Sequence, residues 1–300
     1  MPDVGLLSLK HREIFMIGLV GLGAMGGGYL SRLMAQNCDL MCFDAMPEAR
    51  ARAAAAGAKV ADSLADFSAC DTVILSLPKA AIVSAVMEEL GPYLKKGSIV
   101  VDTSTSEPDT TKRLAAAAES NGYTFLDGPV SGGPLGARTG TMTMVVGGDE
   151  AGFTKVRPLL EKMTGKLVHI GPSGAGHTVK IANNLLCAAN LVLMSEMAQM
   201  AERAGISLTE LLTGINAGSG RSGVSEVNFP KWITNEAYDS GFTMGLMRKD
   251  VGLATGLAER LGIDLPATRE IAAIWENSRE ILDDSADFNE IYKYRKRSNV

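Results

Sequence analysis

The apolar positions in the first half of the chain fall into short runs that alternate with helix-like segments. Runs typical of buried strands occur at "MIGLV", "CDLMCF", 59–60, "DTVILSLP" and "GSIVVD", and helical patterns occur between them, as at 47–56 and 108–120. Such alternation is typical of a parallel sheet covered by helices on both faces. The runs "YTFLDGPVSGG", "TMTMVVGG" and "KLVHIGP" predict three further strands, so we expect the sheet to end near residue 172.

The pattern changes at Gly174, after which the periodicity is helical and no further strand is predicted. A mostly apolar stretch at 178–204, closed by Gly205, predicts one long helix. Asn183 and Asn184 interrupt its apolar positions. The uninterrupted part is too short for a membrane span, so we expect a buried helix that joins two domains or packs against another subunit.

The length of the chain and the change of pattern together predict two domains, because 300 residues exceed what one hydrophobic core usually serves. The first is predicted to be an α/β domain with a doubly wound sheet over 14–172. The second is predicted to be an all-α domain over 173–300. Residues 1–13 precede the first predicted strand and are expected to form a disordered extension.

Charge and cysteine usage exclude several classes of function. The formal net charge is −5 and only the tail "YKYRKRSNV" is basic, so the chain lacks the basic surface of a nucleic-acid-binding protein. The four cysteines do not have the spacing of metal ligands, and we predict neither a metal site nor disulfides. The N-terminus lacks the features of a signal peptide, so we expect a cytoplasmic protein.

A glycine-rich turn follows the first predicted strand and precedes a helix. Its pattern is Gly21-x-Gly23-x-x-Gly26. In a dinucleotide-binding turn the first glycine permits the tight turn, the second lets a pyrophosphate approach the backbone, and the third lets helix and strand pack closely. The helix N-terminus then favours the anion. Taken alone, the same pattern also fits a plain flexible turn.

Asp44 ends the second predicted strand, eighteen residues beyond Gly26. An acid at this point can accept both ribose hydroxyls of an adenosine, whereas it would repel a 2′-phosphate. This position therefore favours NAD over NADP. The alternative is an aspartate that caps the helix at 47–56 or closes the turn before it.

The segment "DGPVSGG" at 127–133 has the composition of an anion-binding loop. Ser131 contributes a hydroxyl, and the amides of Gly132 and Gly133 can point to one spot. A substrate carboxylate would fit there. The alternative is a glycine-rich turn that only ends a strand.

Lys180 and Asn184 lie four residues apart near the start of the long predicted helix, so both project from one face, with Asn183 beside them. Partial desolvation would lower the pKa of Lys180 toward the range useful for proton transfer. Asn184 is neutral and can orient a substrate oxygen. The alternative is a lysine that extends to solvent beside ordinary polar helix residues. His177 is expected to support this site and not to act as its base.

Four motifs in the order found here resemble those of the β-hydroxyacid dehydrogenases. They are "GLVGLGAMG", "DGPVSGG", "GAGHTVKIANN" and "GFTMGLMRKD", and the resemblance covers nearly the whole chain from Met16. It implies an N-terminal Rossmann-type domain, a helical C-terminal domain, and an NAD-dependent dehydrogenase or reductase of a small hydroxy acid in which Lys180 is the general acid and base. It also implies contacts of Ser131, Gly132, Gly133, Asn183 and Lys249 with substrate.

The same resemblance implies which residues contact the cofactor. They are Gly21, Gly23, Ala24, Met25, Gly26, Asp44, Leu77, Pro78, Thr105 and Lys249, and Asp250 is expected to orient Lys249. We also expect the chain to form a homodimer or homotetramer. The apolar helix 178–204 supports this, because its faces need partners.

Other functions on this fold are less consistent with the sequence. Imine reductases usually replace the lysine, and a non-catalytic cofactor-bound interaction module would have lost it, whereas Lys180 is present. The 6-phosphogluconate dehydrogenases are usually longer and carry basic residues where Asp44 stands. The substrate is expected to be a semialdehyde, a sugar acid or a similar polar acid, since Arg221 lies in a polar glycine-rich stretch and can reach a second anionic group. The alternative is that this stretch is only a solvated loop between helices.

Overall fold

The computed structural model of the protein describes residues 16–297, so the predicted extension at 1–13 lies outside the described residues. The strands are β1 (Ile17–Val20), β2 (Leu40–Phe43), β3 (Lys59–Val60), β4 (Thr72–Leu75), β5 (Ile99–Asp102), β6 (Thr124–Asp127), β7 (Val130–Ser131), β8 (Met142–Gly147) and β9 (Thr164–Gly171). The helices between them are α1 (Ala24–Ala35), α2 (Pro47–Ala55), α3 (Ala80–Leu90), α4 (Pro108–Ser120), α5 (Gly133–Thr139) and α6 (Glu150–Leu160).

The remainder of the described chain is helical. It contains α7 (Ala175–Arg203), α8 (Leu208–Ala217), a π-helix (Val224–Ile233), α9 (Met244–Arg260), α10 (Pro266–Asn277) and α11 (Ile291–Arg297). Four short 3₁₀ segments complete the list, at Leu64–Ala69, Gly91–Tyr93, Ser278–Glu280 and Phe288–Glu290.

The strands form one sheet with the order β3-β2-β1-β4-β5-β6-β8-β7, and β9 pairs with β8. Strands β1 to β6 pair in parallel, with β1 between β2 and β4. From β1 the chain first builds β2 and β3 on one side, and it then crosses to build β4, β5 and β6 on the other side. This reversal of the strand order opens a crevice at the carboxyl ends of β1 and β4. The predicted doubly wound sheet, followed by a helical C-terminal part, is confirmed.

The far edge of the sheet differs from the predicted parallel arrangement. The expected single strand "YTFLDGPVSGG" is broken at Gly128 and Pro129 into β6 and β7, both of which pair antiparallel with β8. Proline has no N–H to donate to a strand ladder, which is a physical reason for the interruption. As a result the segment after Pro129 bends toward the start of α7.

Two apolar cores cover the two faces of the sheet, because successive strand residues point to opposite sides. Leu19, Ile74 and Leu126 face one core, whereas Val73 and Val100 face the other. A third core around Phe229 and Trp275 fills the helical part, where α7 packs against α9, α10 and α11.

The central helix α7 begins at Ala175, three residues before the predicted start, and its N-cap is Gly174 with φ 90°. By length and composition α7 is apolar enough to cross a membrane, but 44% of its most apolar 18-residue window is buried inside the protein. Its packing against both the sheet and three other helices is that of a core helix.

Candidate active site

The glycine-rich turn lies at the carboxyl end of β1, where its three glycines have different environments. A Cβ at Gly21, which has φ 92°, would collide with the carbonyl of Ser76, and a Cβ at Gly26 would collide with the carbonyl of Gly21. A Cβ at Gly23 would meet nothing within 4 Å. The fold itself therefore requires Gly21 and Gly26, whereas Gly23 keeps space open in front of α1.

The N-terminus of α1 faces this space. Gly23 is its N-cap, and no side chain caps the helix there. The amides of the first turn, which begins with Ala24 and Met25, are thus available to an anion, and the helix dipole favours one. This arrangement fits the pyrophosphate of a dinucleotide.

The carboxylate of Asp44 lies beside the glycine-rich turn and accepts hydrogen bonds from two backbone N–H groups. Its two carboxylate oxygens accept the N–H of Leu22 at 2.6 Å and the N–H of Met46 at 2.8 Å. The turn role considered as an alternative is therefore present, but each carboxylate oxygen retains a lone pair for a ribose hydroxyl. The sequence did not indicate that Arg50 would be so close: its guanidinium donates to the carbonyl of Asp44 at 2.5 Å.

The expected cofactor residues after β4 and β5 are joined by Lys249 of α9. Lys249 Nζ lies 3.5 Å from the carbonyl of Pro78 and 3.3 Å from the carbonyl of Thr105. Leu77 is held in the same place because its N–H donates to Ser104 Oγ at 3.0 Å. The structure thus brings a cation from the helical part to the ends of two sheet strands.

Lys180 and Ser131 are in contact, with Lys180 Nζ 3.0 Å from Ser131 Oγ. Ser131 ends β7, and the next two residues turn sharply, with φ 128° at Gly132 and 62° at Gly133. Gly132 is the N-cap of α5 and supplies no capping side chain. The predicted carboxylate-binding loop therefore lies directly beside the predicted base.

Asn184 is buried and bound to Asp250 of α9. Its Nδ2 donates to Asp250 Oδ2 at 2.5 Å, and the other carboxylate oxygen lies 3.1 Å from Lys249 Nζ. Because an ionised carboxylate only accepts, this contact fixes which end of the Asn184 amide is the NH₂ group. The amide oxygen of Asn184 accepts from the exposed Asn183 at 3.1 Å, so the second N–H of Asn184 remains for a substrate oxygen.

The environment of Lys180 lowers its pKa below the usual lysine range, chiefly because burial disfavours the ammonium form. The carboxylate of Asp250 acts in the opposite direction. The positive charge of Lys249 lowers the pKa of Lys180 further. Burial raises the pKa of the Cys187 thiol to about 11, so the thiol is protonated at neutral pH.

The sequence analysis missed two acidic residues close to these groups, and it missed one contact of a third. Asp102 and Asp127 are fully buried beneath the start of α7, and Asp250 binds Asn184 as well as its predicted partner Lys249. The available signal was an acid at the carboxyl end of a buried strand, which both Asp102 and Asp127 provide. Arg221, in contrast, is exposed on the loop between α8 and the π-helix. Among the side chains that the structure describes, no three or more of His, Cys, Asp or Glu are grouped so that they could hold a metal ion.

Two family models together match almost the whole described chain. The model of the NAD-binding domain of 6-phosphogluconate dehydrogenase matches residues 16–171. The model for the NAD-binding of NADP-dependent 3-hydroxyisobutyrate dehydrogenase matches residues 174–295. The match to the first model, together with the open glycine-rich turn, identifies the N-terminal part as an NAD-binding domain.

Individual relatives are similar over nearly their full length. A 2-(hydroxymethyl)glutarate dehydrogenase of Eubacterium barkeri is 34% identical, with 92% of this chain and 93% of the relative covered. The mitochondrial 3-hydroxyisobutyrate dehydrogenase of Drosophila melanogaster is also 34% identical, with 94% and 89% covered. A solved structure of Mycobacterium tuberculosis 3-hydroxyisobutyrate dehydrogenase with L-serine has a TM-score of 0.89 at 30% identity and covers 94% of this chain and 99% of its own.

The contacts of Asp44 predict its effect on cofactor choice. In Asp44→Ala we expect NADH to bind about 10- to 100-fold more weakly, since hydrogen bonds to a charged group contribute roughly 1.5–3 kcal/mol. NADPH binding should improve, because Arg50 then faces the 2′-phosphate without a competing carboxylate. Titration of nucleotide fluorescence measures both dissociation constants. The double variant Asp44→Ala/Arg50→Met should lose the gain in NADPH binding, and a wild-type preference for NADPH would contradict the role given to Asp44.

Proposed function

The chain belongs to the β-hydroxyacid dehydrogenase family, and on this basis we propose that it oxidises the hydroxyl group of a small β-hydroxy acid, and reduces the corresponding semialdehyde, with NAD. The observation that carries this proposal is the 3.0 Å contact between Lys180 and Ser131. It puts a lysine with a lowered pKa beside the loop suited to a carboxylate. A substrate with its hydroxyl close to its carboxylate can engage both at once.

In the proposed site, Ser131 and the amides of Gly132 and Gly133 bind the substrate carboxylate. This leaves the substrate hydroxyl toward Lys180 and Asn184. When bound, NAD supplies the hydride acceptor for the oxidation. Gly21, Gly23, Ala24, Met25 and Gly26 would hold its pyrophosphate, Asp44 its adenosine ribose, and Leu77, Pro78, Thr105 and Lys249 its nicotinamide end.

Lys180 acts as the general base in oxidation and as the general acid in reduction. As the hydroxyl oxygen loses its proton, Lys180 Nζ takes it, which requires the neutral amine. The lowered pKa of Lys180 makes more of this form available near neutral pH. Asn184 donates its free N–H to the same oxygen and does not titrate, while Asp250 holds the Asn184 amide in the donating orientation.

The substrate itself is tested with a panel of acids. We expect NAD-dependent absorbance at 340 nm with one or more of 3-hydroxyisobutyrate, L-serine, 2-(hydroxymethyl)glutarate and glycerate, all of which carry a hydroxyl β to a carboxylate. A polar acid is favoured over the branched aliphatic one if Arg221 reaches the substrate. Matched 2-hydroxy acids should be poor substrates, because their hydroxyl lies one carbon closer to the carboxylate. Activity with 2-hydroxy acids alone would contradict the proposal.

Retention of Lys180 and of the family's motifs gives no support to the alternatives of an imine reductase or a non-catalytic interaction module.

The four cysteines are free thiols, two of them buried, which supports a reducing compartment such as the cytoplasm.

An assembly of identical chains is proposed from one face of α7. Val179, Leu186, Leu193 and Met200 recur every seven residues, so they lie along one side of the helix, and they are 44–63% exposed. We call these four residues the α7 stripe. A row of large apolar side chains on a rigid helix favours contact with a second copy of the chain, as a homodimer or as part of a homotetramer.

For the acid–base role, Lys180→Ala is expected to lower kcat by roughly 10²- to 10⁴-fold, the range typical of a positioned proton-transfer group. NADH affinity should change little, because the residues proposed for the pyrophosphate and adenosine ribose lie in the first domain. Asn184→Ala should lower kcat, but the rise of the oxidation rate with pH that reports the deprotonation of Lys180 should remain. Steady-state kinetics and NADH titration measure these effects, and wild-type turnover in Lys180→Ala would assign proton transfer to another group.

The charges around Lys180 predict opposite shifts in the pH profile. In oxidation, kcat/KM should rise with pH as Lys180 loses its proton, at a pH below the usual lysine range. Asp250→Asn removes the carboxylate that raises this pKa, so the limb should move to lower pH. Lys249→Met removes a like charge, so the limb should move to higher pH. Asp264→Asn, an exposed acid before α10, serves as the control, and an identical limb in all variants would refute the electrostatic account.

For the α7 stripe, light scattering should give a mass of at least two chains at micromolar concentration. Leu193→Asp places a charge in the middle of the stripe and should shift the protein toward single chains, because burying an unpaired carboxylate is unfavourable. Ile263→Asp alters an equally exposed apolar residue outside the stripe and should leave the mass unchanged. A monomeric wild-type protein would exclude this assembly.

A further inference from the structure

One carboxylate links the loop proposed for the substrate to the helix that carries Lys180. Asp127 is the last residue of β6, four residues before Ser131. Its Oδ1 accepts the N–H of Gly174 and its Oδ2 accepts the N–H of His177, both at 2.9 Å. These are amides at the start of α7, which helix geometry leaves without partners. Asp127 therefore caps α7 from outside the helix.

These hydrogen bonds, the Lys180–Ser131 contact and the chain segments between them form a closed loop. From Asp127 the chain runs through the break at Pro129 to Ser131, whose Oγ lies 3.0 Å from Lys180 Nζ. From Lys180 the helix runs back over less than one turn to His177, whose N–H donates to Asp127. A shift in either backbone hydrogen bond to the Asp127 carboxylate therefore changes the distance between Lys180 Nζ and Ser131 Oγ.

Two glycines make room for this carboxylate. A Cβ at Gly147 would lie 2.7 Å from Asp127 Oδ1. A Cβ at Gly176 would lie 2.6 Å from the Asp127 carbonyl oxygen and 2.9 Å from its Oδ2. None of these three distances is possible without displacement, so the first turn of α7 packs against Asp127 as closely as the backbone allows.

The imidazole of His177 holds the same turn against α4 and the end of β5. Its Nδ1 lies 2.7 Å from Thr111 Oγ1 and its Nε2 lies 3.0 Å from the carbonyl of Ser104. His177 is fully buried, between Asp102 and Asp127. The start of α7 is thus fixed by hydrogen bonds to three separate segments of the sheet domain, at Asp127, Thr111 and Ser104.

The geometry points to Asp127 as a positioning residue for the reaction, which sets Lys180 against the carboxylate-binding loop by capping α7. This inference rests on the acid–base role of Lys180 in the proposed function. Asp127 touches neither Lys180 nor Ser131 in the described contacts, and it acts through the helix and the strand that carry them. Its contribution should therefore appear in the rate of the chemical step and not in cofactor affinity.

The test uses Asp127→Asn in the full chain. An amide oxygen can accept only in place of one carboxylate oxygen, and the NH₂ group faces the other backbone N–H, so one cap bond is lost. We expect kcat per NADH-binding site to fall roughly 10- to 100-fold, as for a catalytic group displaced by about 1 Å. The dissociation constant for NADH and the pH of the lysine limb should both match the wild type. Counting sites by NADH fluorescence removes any effect of a smaller folded fraction.

A matched control separates positioning from simple loss of a helix cap. Asp149 caps α6 in the same manner, accepting the N–H of Gly152 at 2.6 Å, and among the described residues its side chain has no hydrogen bond to α7. Asp149→Asn should lower the melting temperature but keep kcat per site within twofold. Equal kcat per site in Asp127→Asn and wild type would overturn the inference.

A second variant keeps the carboxylate and moves the helix. The new Cβ of Gly176→Ala must move away from Asp127, so this variant should show the same loss of kcat with unchanged NADH affinity. If Asp127→Asn does not bind NADH, Gly176→Ala tests the positioning role in its place. Wild-type turnover in Gly176→Ala would then contradict the inference. If Lys180→Ala is itself fully active, the proposed acid–base role fails. If Lys180→Ala is inactive and the Asp127 and Gly176 variants are active, only the positioning role fails.

Discussion

The contact between Lys180 Nζ and Ser131 Oγ joins the two parts of the chain at the point where chemistry is proposed. Its partners come from a strand end of the sheet and from the first turns of the longest helix. Neither part can adjust freely, because the strand segment is bent at Pro129 and the helix start is tied to the sheet through His177. The nine-stranded sheet and the helical core can be regarded as the frame that keeps this one distance short.

The charges near that contact are balanced against one another. Burial alone would make the ammonium form of Lys180 costly, whereas the carboxylate of Asp250 restores part of its stability. The same carboxylate also meets Lys249 and the Asn184 amide, so one buried acid serves three groups. A base that titrates in a useful range thus depends on the helix α9 as much as on its own helix α7.

Local sequence patterns were sufficient for the features that local chemistry determines. The alternation of strands and helices, the glycine-rich turn, and Asp44 at the end of β2 all follow from short stretches with a clear physical use. The pairing of Asn184 with Asp250 spans 66 residues, and the cap of α7 by Asp127 spans about 50. No pattern in a short stretch of sequence shows which acid contacts which helix, so these contacts could be identified only from the structure. The break of the predicted strand at Pro129 had a local signal, whereas the π-helix at Val224–Ile233 had none that was recognised.

The three glycines of the first turn have unequal environments. Replacement of Gly21 or Gly26 would damage the fold, since their missing Cβ atoms make room for backbone carbonyls. Gly23 borders only open space, so one added methyl group there would cost the fold little and would fill the approach to the amides of α1. Folding and access to the amides of α1 therefore depend on different glycines of one short turn, so the two properties can change separately.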